Sequence, residues 1–160
     1  MSATAPRKMS TDYSLMPNLV NFQLKSFKAP PTVLIADSDA SNLRLVSNII
    51  EDEGFKVIVA RDGREARQAL QYGGHITAAI LEGLLPDASG PDIVRYMKSD
   101  EDLKDIPVIM MTRASSARLS CEAFAAGAAV LVPEPFSITQ LQNLLHTLVD
   151  GSRVAESISH

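Results

Sequence analysis

Residues 32–60 read "TVLIADSDASNLRLVSNIIEDEGFKVIVA". The run "TVLIA" (32–36) is short, continuously apolar and closed by a polar turn, which suits a strand buried on both faces. The next stretch sets Leu43, Val46 and Ile50 at helical spacing and stops on Gly54, placed as a C-terminal stop. Asp39 stands just ahead of that pattern, where a short acidic side chain caps the free N–H groups of a first turn. "KVIVA" (56–60) is then a second strand. Strand, helix, strand is the unit of a parallel sheet, because parallel neighbours need a crossover between them.

The same alternation continues outward. "GREARQALQYGG" (63–74) puts Ala66, Ala69 and Leu70 on one helical face and ends at a Gly pair, and "ITAAIL" (76–81) is a third strand. A loop, "EGLLPDASG", leads into "PDIVRYMKS" (91–99), where Pro91 suits a first turn and Ile93 stacks on Met97. "PVIMM" (107–111) and "AVLV" (129–132) are the fourth and fifth strands, around the helix "SSARLSCEAFAAG" (115–127), stopped by Gly127. "SITQLQNLLHTLVDG" (137–151) aligns Ile138, Leu141, Leu145 and Leu148 on one side. Five strands alternating with five helices predict an α/β fold with a doubly wound parallel sheet, covered on both faces. In such folds the ligand crevice lies at the C-terminal ends of the strands.

Composition narrows the function. The chain has 160 residues, 46% hydrophobic and 21% charged, ordinary for one globular domain. Its single cysteine, Cys121, excludes an internal disulfide, suits a reducing compartment and is expected to pack as a small hydrophobe in the fourth helix. There is no membrane-length apolar run, and "SLMPNLVNFQL" (14–24) is too interrupted for a signal-peptide core, so a cytoplasmic location is expected. Residues 1–31 carry a net charge of +3, leaving −7 for the rest of a chain whose total is −4. That acidic body argues against binding a nucleic-acid backbone. His75, His146 and His160 share no metal-ligand spacing.

Polar groups gather at four strand ends: "ADSD" (36–39), Glu82, "TR" (112–113) and "PEP" (133–135). Asp37, Glu82, Thr112 and Glu134 follow one another at gaps of 45, 30 and 22 residues. This order and spacing resemble the receiver domain of bacterial response regulators over residues 31–150, with "LLPDASG" resembling that family's Pro…Gly loop and "PEPF" its Lys-Pro-Phe turn. The resemblance implies a flavodoxin-like receiver fold with sheet order 2-1-3-4-5, helices one and five on one face, and a cis bond before Pro135. It also implies a role for each strand end. Asp37 and Ser38 stand where the family has two Mg²⁺-binding acids, Glu82 where it has the phosphoacceptor aspartate, Thr112 at the switch position and Glu134 in place of the clamping lysine. Leu131 stands where the family often has an aromatic switch.

These departures bear on the chemistry. Ser38 removes one ionised ligand from a site meant for a hard, octahedral ion. Glu82 carries its carboxylate one methylene farther out, which spoils in-line transfer. Glu134 reverses the charge that would neutralise phosphoryl oxygens. Two like charges about 4 Å apart repel by roughly 4 kcal/mol at an effective dielectric near 20. The expectation is a degenerate receiver, or pseudo-receiver: no catalytic residues, no cofactor, Mg²⁺ held weakly at most, and Glu82 filling part of the phosphoryl's space. Arg113 is a candidate charge partner for Glu82 or Glu134.

The domain plan reads as a flexible leader (1–30), a receiver-like domain (31–150) and a C-terminal tail (151–160), with no output domain. The expected function is a stand-alone module of two-component or phosphorelay signalling, not an enzyme. It would act on protein partners through the face of helix four, strand five and helix five, without nucleic acid or membrane. A homodimer stays open. The alternatives are a receiver still phosphorylated on another acid, Asp87, and a small α/β ligand-binding protein or enzyme using the acidic crevice.

Overall fold

The computed structural model describes residues 30–113 and 116–158, with side chains to Ser152. The expected leader therefore lies almost wholly outside the described residues. Five strands and five helices alternate as expected: β1 (Thr32–Ala36), α1 (Ala40–Asp52), β2 (Lys56–Ala60), α2 (Gly63–Tyr72), β3 (Ile76–Glu82), α3 (Gly90–Ser99), β4 (Val108–Thr112), α4 (Ala117–Ala126), β5 (Val130–Pro133) and α5 (Ile138–Ile158). All strand pairs are parallel, in the order β2-β1-β3-β4-β5.

Two apolar layers explain why the central strands read as continuous hydrophobic runs. On one face Leu34, Ala79, Leu81 and Met110 pack against Ala66 and Leu70 of α2, Ile93, Val94 and Met97 of α3, and Ala123 and Ala126 of α4. On the other, Val33, Ile35, Ile80, Ile109 and Val132 meet Leu43, Val46 and Ile50 of α1 and Leu141, Leu145 and Val149 of α5. A strand between two helical layers has no polar face, so β1 and β4 are buried at every residue. The edge strand β2 is covered less, and its Val59 is half exposed.

Helix ends follow local chemistry. The Asp39 carboxylate accepts from Ser41 N–H at 2.8 Å and Asn42 N–H at 3.0 Å, capping α1. Gly127 ends α4 at φ +113°, a left-handed turn that a side chain would strain.

Three readings of the helices need correction. Cys121 is exposed, because α4 seats itself through Ala123 and Ala126 and Cys121 lies around the helix from them. Ile138 is also half exposed, at the first position of α5, ahead of the buried stripe that Leu141 begins. The α5 backbone runs through Gly151 to Ile158, so the helix does not stop at the expected tail boundary of residue 151. A glycine without a proline behind it weakens a helix but does not end it.

Candidate functional site

Topology sets the place of the site. β1 is flanked by β2 and β3, and the chain leaves it to α1 on one face but leaves β3 to α3 on the other. Between those two exits the sheet opens a crevice. Ala36 pairs with Leu81, so Asp37 and Glu82 emerge side by side at its mouth. Glu82 is the last residue of β3, in register with Met111, and Thr112 pairs with Pro133. Glu134 N–H donates to the Thr112 carbonyl at 2.8 Å, and the Glu134–Pro135 bond is cis, which completes the rim on the β5 side.

Asp37, Glu82 and Glu134 each bring one carboxylate oxygen into a group lying within 4.8 Å of one another. Asp37 is 1% exposed and its oxygens are engaged: Oδ1 accepts from Asp39 N–H at 2.8 Å and Oδ2 accepts from the Asn42 amide. Asn42 Nδ2 also donates to Glu134 Oε1 at 3.2 Å, joining the first turn of α1 to the end of β5. Arg113 spans the mouth. Its Nη2 lies 3.3 Å from Asp37 Oδ1, its Nη1 3.5 Å from Asp39 Oδ2 and its Nε 3.2 Å from Glu134 Oε2. Burial works against the Arg113 charge, but the fields of Asp37, Glu134, Glu82 and Asp39 outweigh it and hold its pKa above the ordinary value.

Glu82 has no such relief. It is 6% exposed, and its Oε2 is buried without a hydrogen-bond partner. Burial pushes its pKa up to about 7, the neighbouring charges of Asp37 and Glu134 add to the shift, and Arg113 only partly opposes it. A hydrogen bond to the Glu134 carboxyl favours the protonated form further. At neutral pH the pocket thus exchanges a proton at the end of β3.

The loop after β3 is held tightly. Leu84 bridges Ser89, Leu85 N–H donates to Ala88 C=O at 2.9 Å, and Gly90 N–H to Gly83 C=O at 3.0 Å. Gly90 is required there, since a Cβ would lie 2.7 Å from the Glu82 carbonyl oxygen.

The structure brings Asp37, Glu82, Glu134 and Arg113 together and sets the buried Thr112 on the same rim. Arg113 pairs with Glu134, one of its two expected partners, and also with Asp37 and Asp39. Ser38 is exposed, and Leu131 packs partly buried beneath the sheet on the α2–α4 side. Asp87, the alternative acceptor, is engaged elsewhere: its oxygens accept from Gly63 N–H at 2.6 Å and Arg64 N–H at 3.0 Å, capping α2. Chiefly the Gly63 bond lowers its pKa. Asn42 was missed in the sequence; its only signal was a polar residue in the first turn of a helix that starts beside Asp37.

Residues 33–146 match the family described as the response regulator receiver domain. The chain belongs to that family. A two-component response regulator-like protein of Arabidopsis thaliana, APRR1, is 31% identical over 113 residues, which are 70% of this chain but only 18% of that protein. The chemotaxis protein CheY of Pseudomonas aeruginosa is 25% identical over 118 residues, 74% of this chain and 95% of its own length. Among solved structures, the chemotaxis response regulator CheY4 of Vibrio cholerae superposes with a TM-score of 0.69 at 28% identity, covering 75% of this chain and 99% of that one. A CheY-like receiver domain from Methanospirillum hungatei reaches 0.74 at 22% identity, covering 79% and 99%, a likeness of fold alone. Receiver domains are signalling modules, and the five-stranded parallel sheet in the order 2-1-3-4-5 is their fold. Among the described residues no helix is long and apolar enough to cross a membrane.

Proposed function

We propose that this receiver domain signals by binding proteins and takes no phosphoryl group, either at its strand-end acids or at Asp87. The observation that carries this reading is the company Glu82 keeps. It is buried at the end of β3, with Asp37 and Glu134 close enough to raise its pKa. An arriving phosphoryl dianion would add charge where two carboxylates already repel a third. The cation at the rim, Arg113, is paired to Asp37, Asp39 and Glu134 and so is already committed. Asp87, as a cap of α2, is a poor substitute acceptor.

Output is then carried by surface shape. The face made by α4, β5 and α5 exposes Phe124 and Ile138, and Arg118 at its edge is exposed apart from an in-helix pair with Glu122. Leu131, an aliphatic side chain in β5, offers no long aromatic lever to swing between states. This supports a docking surface held in one conformation.

The test is incubation with acetyl phosphate and Mg²⁺ followed by intact-mass and peptide mass spectrometry. The expected result is no phosphoryl adduct. An acid-stable, base-labile adduct on Glu82 or Asp87 refutes the proposal. Partner recovery from the source lysate is expected to fall with Arg118→Glu and to survive Glu82→Ala; the reverse pattern makes the acidic crevice the working surface.

A further inference from the structure

At the N-terminal ends of the strands, opposite the acidic crevice, lies an open cavity of about 800 Å³. Leu70, Ile76, Leu103 and Val149, all buried, give it apolar walls. Two exposed carboxylates, Asp102 and Asp105, also line it, against one ammonium among the described residues, that of Lys56. Lys104, between the two acids in sequence, pairs with Glu101 at 2.7 Å instead. The chain itself arrives at this place. Pro30 and Pro31 lie on the lining and lead straight into β1, where Lys56 N–H donates to the Pro31 carbonyl at 2.9 Å.

The segment that leads into Pro30 reads "FQLKSFKA" over residues 22–29. It carries three large apolar side chains, Phe22, Leu24 and Phe27, and two ammonium groups, Lys25 and Lys28, with no acid. We propose that residues 22–28 of this same chain are the occupant of the cavity, with Phe22, Leu24 and Phe27 against its apolar walls and Lys25 and Lys28 toward Asp102 and Asp105. Three residues of chain reach at most about 10 Å, so Phe27 can enter the cavity directly from Pro30. Apolar surface leaving water supplies the attraction, and the opposite charges of segment and rim fix which side faces out. Because the segment is tethered at the mouth, its docking is an intramolecular step and needs only a modest interaction. The inference concerns the end of the sheet away from the crevice, and it stands apart from whether any acid is phosphorylated.

The test is hydrogen–deuterium exchange of the full chain read by mass spectrometry, comparing wild type with the double variant Phe22→Ser/Phe27→Ser. Amides of residues 73–77 and 102–107, which border the cavity, are expected to exchange about tenfold faster in the variant, while those of α1 on the far side of the sheet keep their rate. Equal exchange in the two chains overturns the proposal, as does a rise shared equally by α1. Lys25→Asp/Lys28→Asp should also speed exchange at 102–107, and adding Asp102→Lys/Asp105→Lys should restore the protection, since the charges then match again. Effects of the two charge changes that merely add overturn the assignment of the occupant. So does protection in wild type that fades on dilution, because the occupant is then the same segment of a second copy.

Discussion

Replacing Glu82 with Gln keeps the outline of the buried carboxyl and removes its ability to ionise. In the folded chain Glu82 has a pKa of about 7, against 4.5 for a free side chain. Between those values the native state binds the proton more tightly than the unfolded chain does. The protonated group therefore gives its full contribution below pH 4.5, and stability is lost as pH rises through 7. One pKa unit corresponds to about 1.4 kcal/mol, so the wild-type pocket loses about 3 kcal/mol across this window. Glu82→Gln has no such slope, and its amide can donate to Glu134 as the protonated acid does. Urea unfolding followed by far-UV circular dichroism from pH 4 to 8.5 should show the two proteins within error at the acid end. By pH 8 the variant should be more stable by about 3 kcal/mol, or about 10 °C in melting temperature. Other titrating groups are common to both chains and cancel in the difference. A difference that is flat with pH, or a wild type more stable than Glu82→Gln at pH 8, refutes the burial and like-charge account of this site.

Asn42→Ala removes the amide that joins Asp37 to Glu134 and is expected to cost about 2–3 kcal/mol, as for hydrogen bonds to charged groups, read by the same urea unfolding. Gly90→Ala drives a Cβ to 2.7 Å from the Glu82 carbonyl oxygen, a backbone atom that cannot rotate away, and should destabilise by about 1–3 kcal/mol or more. A Gly90→Ala protein as stable as wild type would mean that the loop after β3 shifts freely. Asp87→Ala should speed amide exchange at Gly63 and Arg64 and lower the melting temperature at pH 7. Because the Asp87 pKa is lowered from 3.8, that difference should disappear as pH falls below this value, and a deficit persisting in acid would point to packing instead.

Two kinds of signal were legible along the chain: patterns set by near neighbours, and the order and spacing of the polar residues that close the strands. Apolar runs against helical spacing marked each strand and helix, Asp39 and Gly127 marked helix ends, and the gaps from Asp37 to Glu82, Thr112 and Glu134 marked the family and the strand-end positions. The first kind survives without coordinates because capping and amphipathic periodicity depend on neighbours a few residues away, and the second because its order and spacing resemble a known family. Burial of Glu82 was not legible in this way, since it depends on β1, β4 and β5 arriving on either side. Nor was Arg113's hold on Asp37, across 76 residues, or the bond from Asn42 to Glu134, across 92. Cys121 and Ile138 sit in apolar stretches that predict packing, yet each helix takes its seat through other residues. Only the tertiary structure decides such matters. Which side chains share a low-dielectric pocket, and which charge pays for another's burial, follows from distances between elements and not from their order.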